Sequence, residues 1–260
     1  MLSAYLDFAM DAAWQAGRQT LAHYQTGVTV ERKIDRSVVT VADREAEQLM
    51  RRLIASRYPD HAIVGEEFGR DRRVASHCWI LDPIDGTNSF VRGVPFYGVL
   101  IALEIDGEPV VGVSYFPAID EMVAAARGLG CRWNGRRVQV SAVTEFAEAC
   151  VAYTDAGGLS KRLHDEWDRL LADTELQRGW GDCYGHCLVA TGRADVMLDP
   201  KMNPWDCAAL IPILQEAGGR FTDWRGAAIT TGGDAVSSNG VLHPQILARL
   251  ATGADGRAPG

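Results

Sequence analysis

The chain has 260 residues, of which 47% are hydrophobic and 23% charged, and its formal net charge is −8. This length allows one large domain or two smaller ones, and the composition argues against a disordered chain. The acidic balance disfavours nucleic acid as the main partner, because a surface that holds nucleic-acid phosphates is normally basic. The N-terminus has no initial cationic stretch and no run of about 18 apolar residues occurs, so we expect neither a signal peptide nor a membrane span.

The first half of the chain alternates between helical spacing of apolar residues and short strand-like runs. Turn signals such as Asn134-Gly135 separate the later strands, which form a predicted meander. The predicted elements are a helix over 3–26, strands at 28–30 and 38–40, a helix over 41–58, a buried strand at 78–81, and meander strands at 97–105, 110–116, 121–126 and 136–140.

After about residue 145 the pattern becomes a regular alternation of strands and helices. Mixed strands followed by this alternation predict two packed lobes, 1–145 and 146–260. Asn203 and Pro204 are typical of a helix start. The predicted elements are strands at 149–153, 176–180, 194–198, 219–222 and 235–238, and helices over 159–172, 182–192, 204–217 and 243–252.

The chain contains six cysteines and no Cys-x-x-Cys pair. We interpret Cys183, His186 and Cys187 as one face of a helix with packed side chains, because the second half of a zinc motif is missing. The zinc site is the alternative. A reduced chain in the cytoplasm is the simplest interpretation of this cysteine usage.

The buried strand predicted at 78–81 ends in two aspartates, Asp82 and Asp85, separated by Pro83 and Ile84. Both could not stay ionised in a partly buried turn without a positive charge, and no Lys or Arg is close by in the sequence. A divalent cation such as Mg²⁺ would supply that charge through oxygen ligands. An Asx turn is the structural alternative, and it leaves one aspartate unexplained.

Three further segments indicate a functional site only when they are considered together with these aspartates. Backbone N–H groups of Gly86 and Thr87 could hold a phosphate where the chain turns into a helix. Taken alone, Glu66-Glu67 could be a solvated pair, and Asp206 could simply interact with its helix dipole. The argument for chemistry therefore depends on all the clusters together.

These motifs resemble the inositol monophosphatase family, which comprises Mg²⁺-dependent, lithium-sensitive phosphatases. The resemblance covers roughly residues 5–250. The matching segments are Gly65-Glu66-Glu67, Trp79-Ile80-Leu81-Asp82-Pro83-Ile84-Asp85-Gly86-Thr87-Asn88-Ser89-Phe90, and Trp205-Asp206 through Glu216-Ala217-Gly218-Gly219. The resemblance implies an α/β fold, a layered αβαβα sandwich, with two or three Mg²⁺ ions, and a homodimer.

The resemblance also implies roles for individual residues. Thr87 would orient the attacking water with Asp43 as its partner, and Gly86 and Thr87 would hold the phosphate. Glu67 and Lys33 would lie next to the metal ligands. The implied ligands, several of which would also contribute to catalysis and contact the substrate, are Glu66, Asp82, the carbonyl of Ile84, Asp85 and Asp206.

The chemistry of a phosphatase agrees with this residue set. Hydrolysis of a phosphomonoester needs an in-line water, its activation, and neutralised phosphate oxygens, which several Mg²⁺ ions between carboxylates can supply. The sequence has no Cys-x₅-Arg motif or other covalent nucleophile. We therefore expect direct attack by a metal-activated water.

The segment Phe90-Val91-Arg92-Gly93 resembles the histidinol-phosphate phosphatase branch of the family, which implies that Arg92 contacts the substrate. There, residues matching Arg178, Asp182 and Asp199 line the leaving-group pocket. Histidinol carries an ammonium and a partly protonated imidazole, which acidic side chains would complement. Structural alternatives are a helix cap for Asp182 and a strand end for Asp199.

Two other functions stay open on the sequence. The first is an inositol-1-monophosphatase or a broad-specificity sugar phosphatase, since Pro204, Cys183 and Tyr184 depart from the usual pattern. The second, from a different class, is a metal-binding module without turnover. In each case we expect a small phosphorylated ligand rather than a nucleic acid or a membrane.

Overall fold

A computed structural model describes residues 2–34, 37–71, 73, 75–229 and 232–254. Within these residues, no helix is both long and apolar enough to cross a membrane. The helices are α1 (Leu2–Leu21), α2 (Val41–Arg57), α3 (Thr87–Val91), α4 (Ala156–Leu163), α5 (Asp165–Ala172), α6 (Asp182–Ala190), α7 (Pro204–Ala208), α8 (Leu210–Glu216) and α9 (His243–Ala254), with a 3-10 helix at Phe146–Glu148.

Most strands belong to two sheets, with orders β10-β9-β8-β7-β6-β5-β3-β4 and β12-β11-β13-β15-β14, and β1 pairs only with β2. The strands are β1 (Glu31–Arg32), β2 (Val38–Val39), β3 (Ala62–Gly65), β4 (Gly69–Arg70), β5 (His77–Asp85), β6 (Gly98–Ile105), β7 (Glu108–Phe116), β8 (Glu121–Ala126), β9 (Gly130–Trp133), β10 (Arg136–Val138), β11 (Cys150–Tyr153), β12 (Leu176–Arg178), β13 (Val196–Met202), β14 (Arg220–Thr222) and β15 (Gly233–Ser238).

The elements stack as five layers. Helices α1 and α2 cover one face of the larger sheet, and α6 and α8 lie between the two sheets. Helices α4, α5 and α9 cover the outer face of the smaller sheet. This order confirms the predicted αβαβα sandwich. The middle core contains residues from both sheets, so apolar packing joins the two halves of the chain.

Strand β5 carries side chains to both faces of the larger sheet. Trp79 and Leu81 pack toward α1 and α2, whereas Ile80 belongs to the core of the middle layer. Because side chains alternate along a strand, Asp82 lies on the same face as Ile80. The pairing of β5 with β6 becomes irregular between Asp82 and Asp85, where Pro83 has no N–H to donate.

Several predicted boundaries were wrong. The first helix ends at Leu21 instead of residue 26, because the chain turns through positive φ at Gln25 and Gly27. The helix predicted at 159–172 is two helices, separated at His164 with φ 51°. The helix predicted at 204–217 is also two, because Pro212 cannot donate to the carbonyl four residues earlier.

Other differences concern short strands. Strands β3, β4 and β9 were not predicted, and the strand expected at 28–30 occurs as β1. All are two to four residues long, so the alternation of side chains had too few positions to be detected.

Candidate active site

Three aspartates meet at the end of β5 and the start of α7. Asp82, Asp85 and Asp206 each place a carboxylate oxygen within 4.8 Å of the others. Asp82 is buried, and the other two are partly exposed. The sequence separates Asp206 from Asp85 by more than a hundred residues, and α7 brings it back because its first turn packs on β5.

The geometry of the cluster disfavours three negative charges. Burial, followed by the nearby charges of Glu66, Asp85 and Asp206, raises the pKa of Asp82 well above its ordinary value. Burial likewise raises the pKa of Asp85, with the charge of Asp182 as the next cause. It raises the pKa of Asp206 to about 6. A cation between these groups would offset their repulsion.

Backbone donors hold each aspartate in place. The N–H of Ile84 donates to Asp82 Oδ1 at 3.0 Å, and the N–H of Cys183 donates to Asp85 Oδ2 at 2.6 Å. Asp206 Oδ2 accepts from the N–H of Asn203 at 2.7 Å, as part of the capping box that starts α7. Each donor leaves other lone pairs of its aspartate free for a further ligand.

Glu66 and Glu67 follow β3 and share one lysine. Lys33 Nζ donates to Glu66 Oε1 at 2.9 Å and to Glu67 Oε1 at 2.5 Å. Burial raises the pKa of Glu67 to about 7, although the bond from Lys33 acts in the opposite direction. The three residues thus lie together, as the resemblance implied.

Thr87 and Asp43 are neighbours next to the cluster. Thr87 Oγ1 donates to the carbonyl of Ile84 at 3.0 Å and lies 3.5 Å from Asp43 Oδ1. Asp43 Oδ2 accepts from both the N–H and the hydroxyl of Thr40, which cap α2. Burial raises the pKa of Asp43 to about 6. Gly86, with φ 78°, is the N-cap of α3.

A second pair of acids lies on the other side of this loop. An added Cβ at Gly86 would be 2.9 Å from Asp182 Oδ2. Thr154 joins Asp182 to Asp199: its Oγ1 accepts from the Asp182 N–H at 2.9 Å and donates to Asp199 Oδ2 at 2.7 Å. Asp199 is buried, and burial raises its pKa to about 7. The side chain of Asp182 does not cap α6, whose N-cap is Gly181.

The two arginines assigned to the substrate lie on the surface. Arg92 Nη1 donates to the backbone and side-chain oxygens of Asn88 at 3.1 Å. Arg178 Nη1 donates to the carbonyl of Gln177 at 2.7 Å. The contacts of both guanidinium groups are therefore local, and their role in substrate binding stays a prediction.

The cysteines and His186 pack as the sequence suggested. Cys183, His186 and Cys187 are buried in α6, and His186 Nδ1 is 2.8 Å from Ser237 Oγ. Burial lowers the pKa of His186 to about 3, so the ring is neutral. Among the residues that the structure describes, the three-aspartate cluster is the one group with metal-site geometry.

The donor set of the aspartate cluster fits Mg²⁺. It consists of hard oxygen atoms, which Mg²⁺ prefers to nitrogen or sulfur. The raised pKa values of Asp82, Asp85 and Asp206 are the expected electrostatic property of a site that needs a positive charge. The arrangement can therefore hold a divalent cation beside a phosphate.

Sequence reasoning missed three contributors to the site. Thr154 and the backbone N–H of Cys183 carry no motif, and they reach the site only through the packing of β11 and α6. Glu47, which holds the loop after β3, lies one helical turn after Asp43. That spacing on α2 places both acids on one face, and it could have revealed Glu47.

Comparisons with known proteins agree on one family. The sequence profile of the inositol monophosphatase family matches residues 1–253. A protein of Chlorobaculum parvum called histidinol-phosphatase is 45% identical over 251 residues, covering 95% of this chain and 97% of its own. One of the same name from Mycobacterium tuberculosis is 40% identical over 230 residues, covering 86% and 88%. The solved structure of a Thermotoga maritima IMPase has a TM-score of 0.90 at 29% identity and covers 97% and 98%.

Proposed function

Because this chain belongs to the inositol monophosphatase family and is a phosphatase, we propose that it hydrolyses L-histidinol phosphate to L-histidinol and phosphate with the help of Mg²⁺. The alcohol that leaves would be a cation, and the product would serve histidine biosynthesis. The two relatives called histidinol-phosphatase support this assignment.

The observation that carries the proposal is the pair Asp182 and Asp199. Asp182 lies beside Gly86, and the hydroxyl of Thr154 joins Asp182 to Asp199. The ammonium and the imidazolium of histidinol would pair with them. A neutral polyol such as inositol would leave the buried Asp199 without a charged partner.

The residues proposed to hold Mg²⁺ are Glu66, Asp82, the carbonyl of Ile84, Asp85 and Asp206. When bound, the two or three ions would neutralise the phosphate oxygens and make a water more acidic. The Ile84 carbonyl accepts from Thr87 at 3.0 Å, so it lies beside the hydroxyl proposed to orient the water. Lys33, which forms ion pairs with Glu66 and Glu67, would offset part of the negative charge next to the metal ligands.

Groups of the protein itself would bind the phosphate and orient the attacking water. The N–H groups of Gly86 and Thr87 would hold the phosphate at the start of α3. Thr87 Oγ1 would orient the attacking water, and Asp43 Oδ1, at 3.5 Å, would accept a hydrogen bond or a proton from that hydroxyl. Thr40 keeps Asp43 in this orientation through two hydrogen bonds.

A panel of substrates tests the proposal. Phosphate release is measured with L-histidinol phosphate, inositol 1-phosphate, a nucleoside bisphosphate and fructose 1,6-bisphosphate, each with EDTA and with added Mg²⁺. We expect L-histidinol phosphate to have the highest kcat/KM and EDTA to abolish every activity. A preference for inositol 1-phosphate would overturn the substrate, and full activity in metal-free buffer would overturn the metal.

Metal binding has a second readout that does not depend on activity. Mg²⁺ should raise the melting temperature, because a ligand present at 100 times its Kd stabilises the folded state by about 2.7 kcal/mol. The increase should disappear in Asp85→Asn. An equal increase in both proteins would mean that Mg²⁺ binds elsewhere.

Three expectations from the sequence stay predictions: the homodimer, the location in the cytoplasm, and the division into lobes 1–145 and 146–260. Limited proteolysis can test the division, because a flexible junction near residue 145 would be cut first. Light scattering at several concentrations tests the dimer.

A further inference from the structure

The fully buried carboxylate of Glu47 and the partly buried guanidinium of Arg51 form an ion pair beneath the loop that follows β3. We propose that Glu47, supported by Arg51, is a positioning residue that fixes this loop and thereby places Glu66 for metal binding. The inference rests on the proposed function, since it concerns how the Mg²⁺ site is assembled. The loop comprises residues 66–68, between β3 and β4, and the ion pair belongs to α2.

Glu47 contacts the loop at two backbone positions. Its Oε2 accepts from the N–H of Glu67 at 2.7 Å, and its Oε1 lies 3.3 Å from the N–H of Phe68. Arg51 Nε donates to the same Oε1 at 2.7 Å, and Arg51 Nη2 donates to the carbonyl of Gly69. Glu47 and Arg51 therefore hold the chain at Glu67 and at Gly69. Glu66 is the residue immediately before the first of these two contacts.

Gly65 shows how closely the carboxylate approaches the loop. A Cβ at this position would lie 2.0 Å from Glu47 Oε1 and 2.3 Å from its carboxyl carbon. A flexible side-chain end could normally move away from such a contact. Here the carboxylate is fully buried and held by its bonds to Arg51, Glu67 and Phe68, so only glycine fits above it.

Glu66 is thus fixed from two sides. Its own N–H donates to the carbonyl of Leu81 at 3.2 Å, which ties it to β5 and to Asp82. The next N–H, that of Glu67, is tied to α2 through Glu47. Helix α2 also carries Asp43. The same helix therefore positions two of the acids proposed for the site, Asp43 directly and Glu66 through Glu47.

The chemistry of the ion pair between Glu47 and Arg51 supports a positioning role for Glu47. A buried ion pair adds little net stability compared with apolar side chains of similar size, because removing two charges from water is costly. The carboxylate of Glu47 instead provides two acceptor atoms that can bind successive N–H groups, which no apolar side chain can do. Groups that orient a metal ligand typically change metal affinity or activity 10–100-fold when they are altered.

The first experiment compares Glu47→Gln with Glu45→Gln. Glu45 lies on the same helix, but it pairs with His23 and Gln19 on the surface instead of the loop. The Mg²⁺ concentrations for half-maximal activity and for half of the thermal shift are measured for both variants. We expect both values to rise roughly 10–100-fold in Glu47→Gln and to stay within about twofold in Glu45→Gln. The KM for L-histidinol phosphate at saturating Mg²⁺ should change little.

Arg51→Lys provides a milder variant, because it keeps the charge but loses the planar group that contacts both Glu47 and Gly69. We expect its half-saturating Mg²⁺ concentration to rise about three- to tenfold. This variant carries the test if Glu47→Gln does not fold.

A double-mutant cycle tests the contact itself. Gly65→Ala should raise the half-saturating Mg²⁺ concentration about tenfold or more with Glu47 present. It should do so less than about threefold in Glu47→Ala, where the new methyl group has room. Additive effects would show that the two residues do not act through this contact.

The two proposals fail in different ways. If wild-type activity needs no Mg²⁺, the proposed function is overturned. If wild-type needs Mg²⁺ but both Glu47→Gln and Arg51→Lys keep the wild-type half-saturation, the positioning role is overturned. A variant that loses only thermal stability, with unchanged Mg²⁺ dependence, also overturns it, because that is the result for a purely structural ion pair.

Discussion

Two groups of carboxylates lie near each other, and their neighbours hold them in different ways. Asp82, Asp85 and Asp206 place oxygens within 4.8 Å of one another. Asp182 and Asp199 are instead separated by the hydroxyl of Thr154, which bonds to both residues. The first group concentrates its carboxylates at one point, and the second is linked through the hydroxyl of Thr154 and the backbone N–H of Asp182.

If the proposed function is correct, the first group serves the chemistry and the second group determines which substrate is bound. A compact set of oxygens suits a small divalent ion, which every phosphate ester would need. Spaced acids suit an organic cation, whose charge is spread over larger groups. Substitutions in the first group should therefore affect all substrates, and substitutions in the second should affect only cationic ones.

The largest expected effect follows from Asp85→Asn. This change keeps the shape of the side chain but removes a charge from the compact group, so it should lower the rate about 10²–10⁴-fold, or roughly 3–5 kcal/mol. The loss should be similar for L-histidinol phosphate and an aryl phosphate, measured at saturating Mg²⁺. Without metal, the melting temperature should hold or rise, because repulsion in the cluster is relieved. Wild-type turnover would mean that Asp85 holds no metal.

Asp199→Asn should produce a smaller and selective effect. Each charged contact to a bound cation contributes about 1.5–3 kcal/mol, so kcat/KM for L-histidinol phosphate should fall roughly 10–100-fold. The value for an aryl phosphate should hardly change. Asp195→Asn is the matched control, because Asp195 is equally buried, at 5% exposure, but bonds to Ser141 and Cys150. Equal losses on both substrates would make Asp199 structural.

The pH dependence sharpens the same distinction. Burial raises the pKa of Asp199 to about 7, so the free enzyme ionises this group as the pH rises through 7. The ratio of kcat/KM for L-histidinol phosphate to that for an aryl phosphate should thus increase about three- to fivefold from pH 5.5 to pH 6.5, where the substrate imidazole, with an ordinary pKa near 6.5, still keeps much of its charge. Above pH 7 the loss of that charge should reverse the increase. In Asp199→Asn the rise should be absent, and its persistence would assign it to another group.

The sequence predicted the compact group better than the spaced one. Asp82 and Asp85 come after an uninterrupted apolar run, so their place near the end of β5 could be inferred from local pattern, although the strand extends to Asp85 instead of residue 81. The helix start at Asn203 and Pro204 was also predicted from local pattern, whereas Asp206 as a metal ligand was implied by the resemblance to the family. These signals are local, and local signals survive when element boundaries are wrong.

The parts of the site that the sequence did not predict depend on contacts between distant parts of the chain. Thr154 reaches Asp199 across 45 residues, and Glu47 reaches the N–H of Glu67 across 20. Arg92 has a recognisable motif, but its guanidinium bonds to Asn88 one turn earlier. The layers of the fold were implied by the resemblance to the family, whereas breaks such as the one at His164 depend on single backbone angles.

The smallest expected effect comes from the hydroxyl that separates the two acids. Thr154→Val keeps the volume of the side chain but removes the donor to Asp199 and the acceptor for the Asp182 N–H. Since a net hydrogen bond contributes about 1 kcal/mol, kcat/KM for L-histidinol phosphate should fall about three- to tenfold, mainly through KM. Thr154→Ser keeps the hydroxyl and should restore most of the loss. If Thr154→Val reduced aryl phosphate hydrolysis equally, Thr154 would also support the group of Asp82, Asp85 and Asp206. The division of the site into two independent groups of carboxylates would then be wrong.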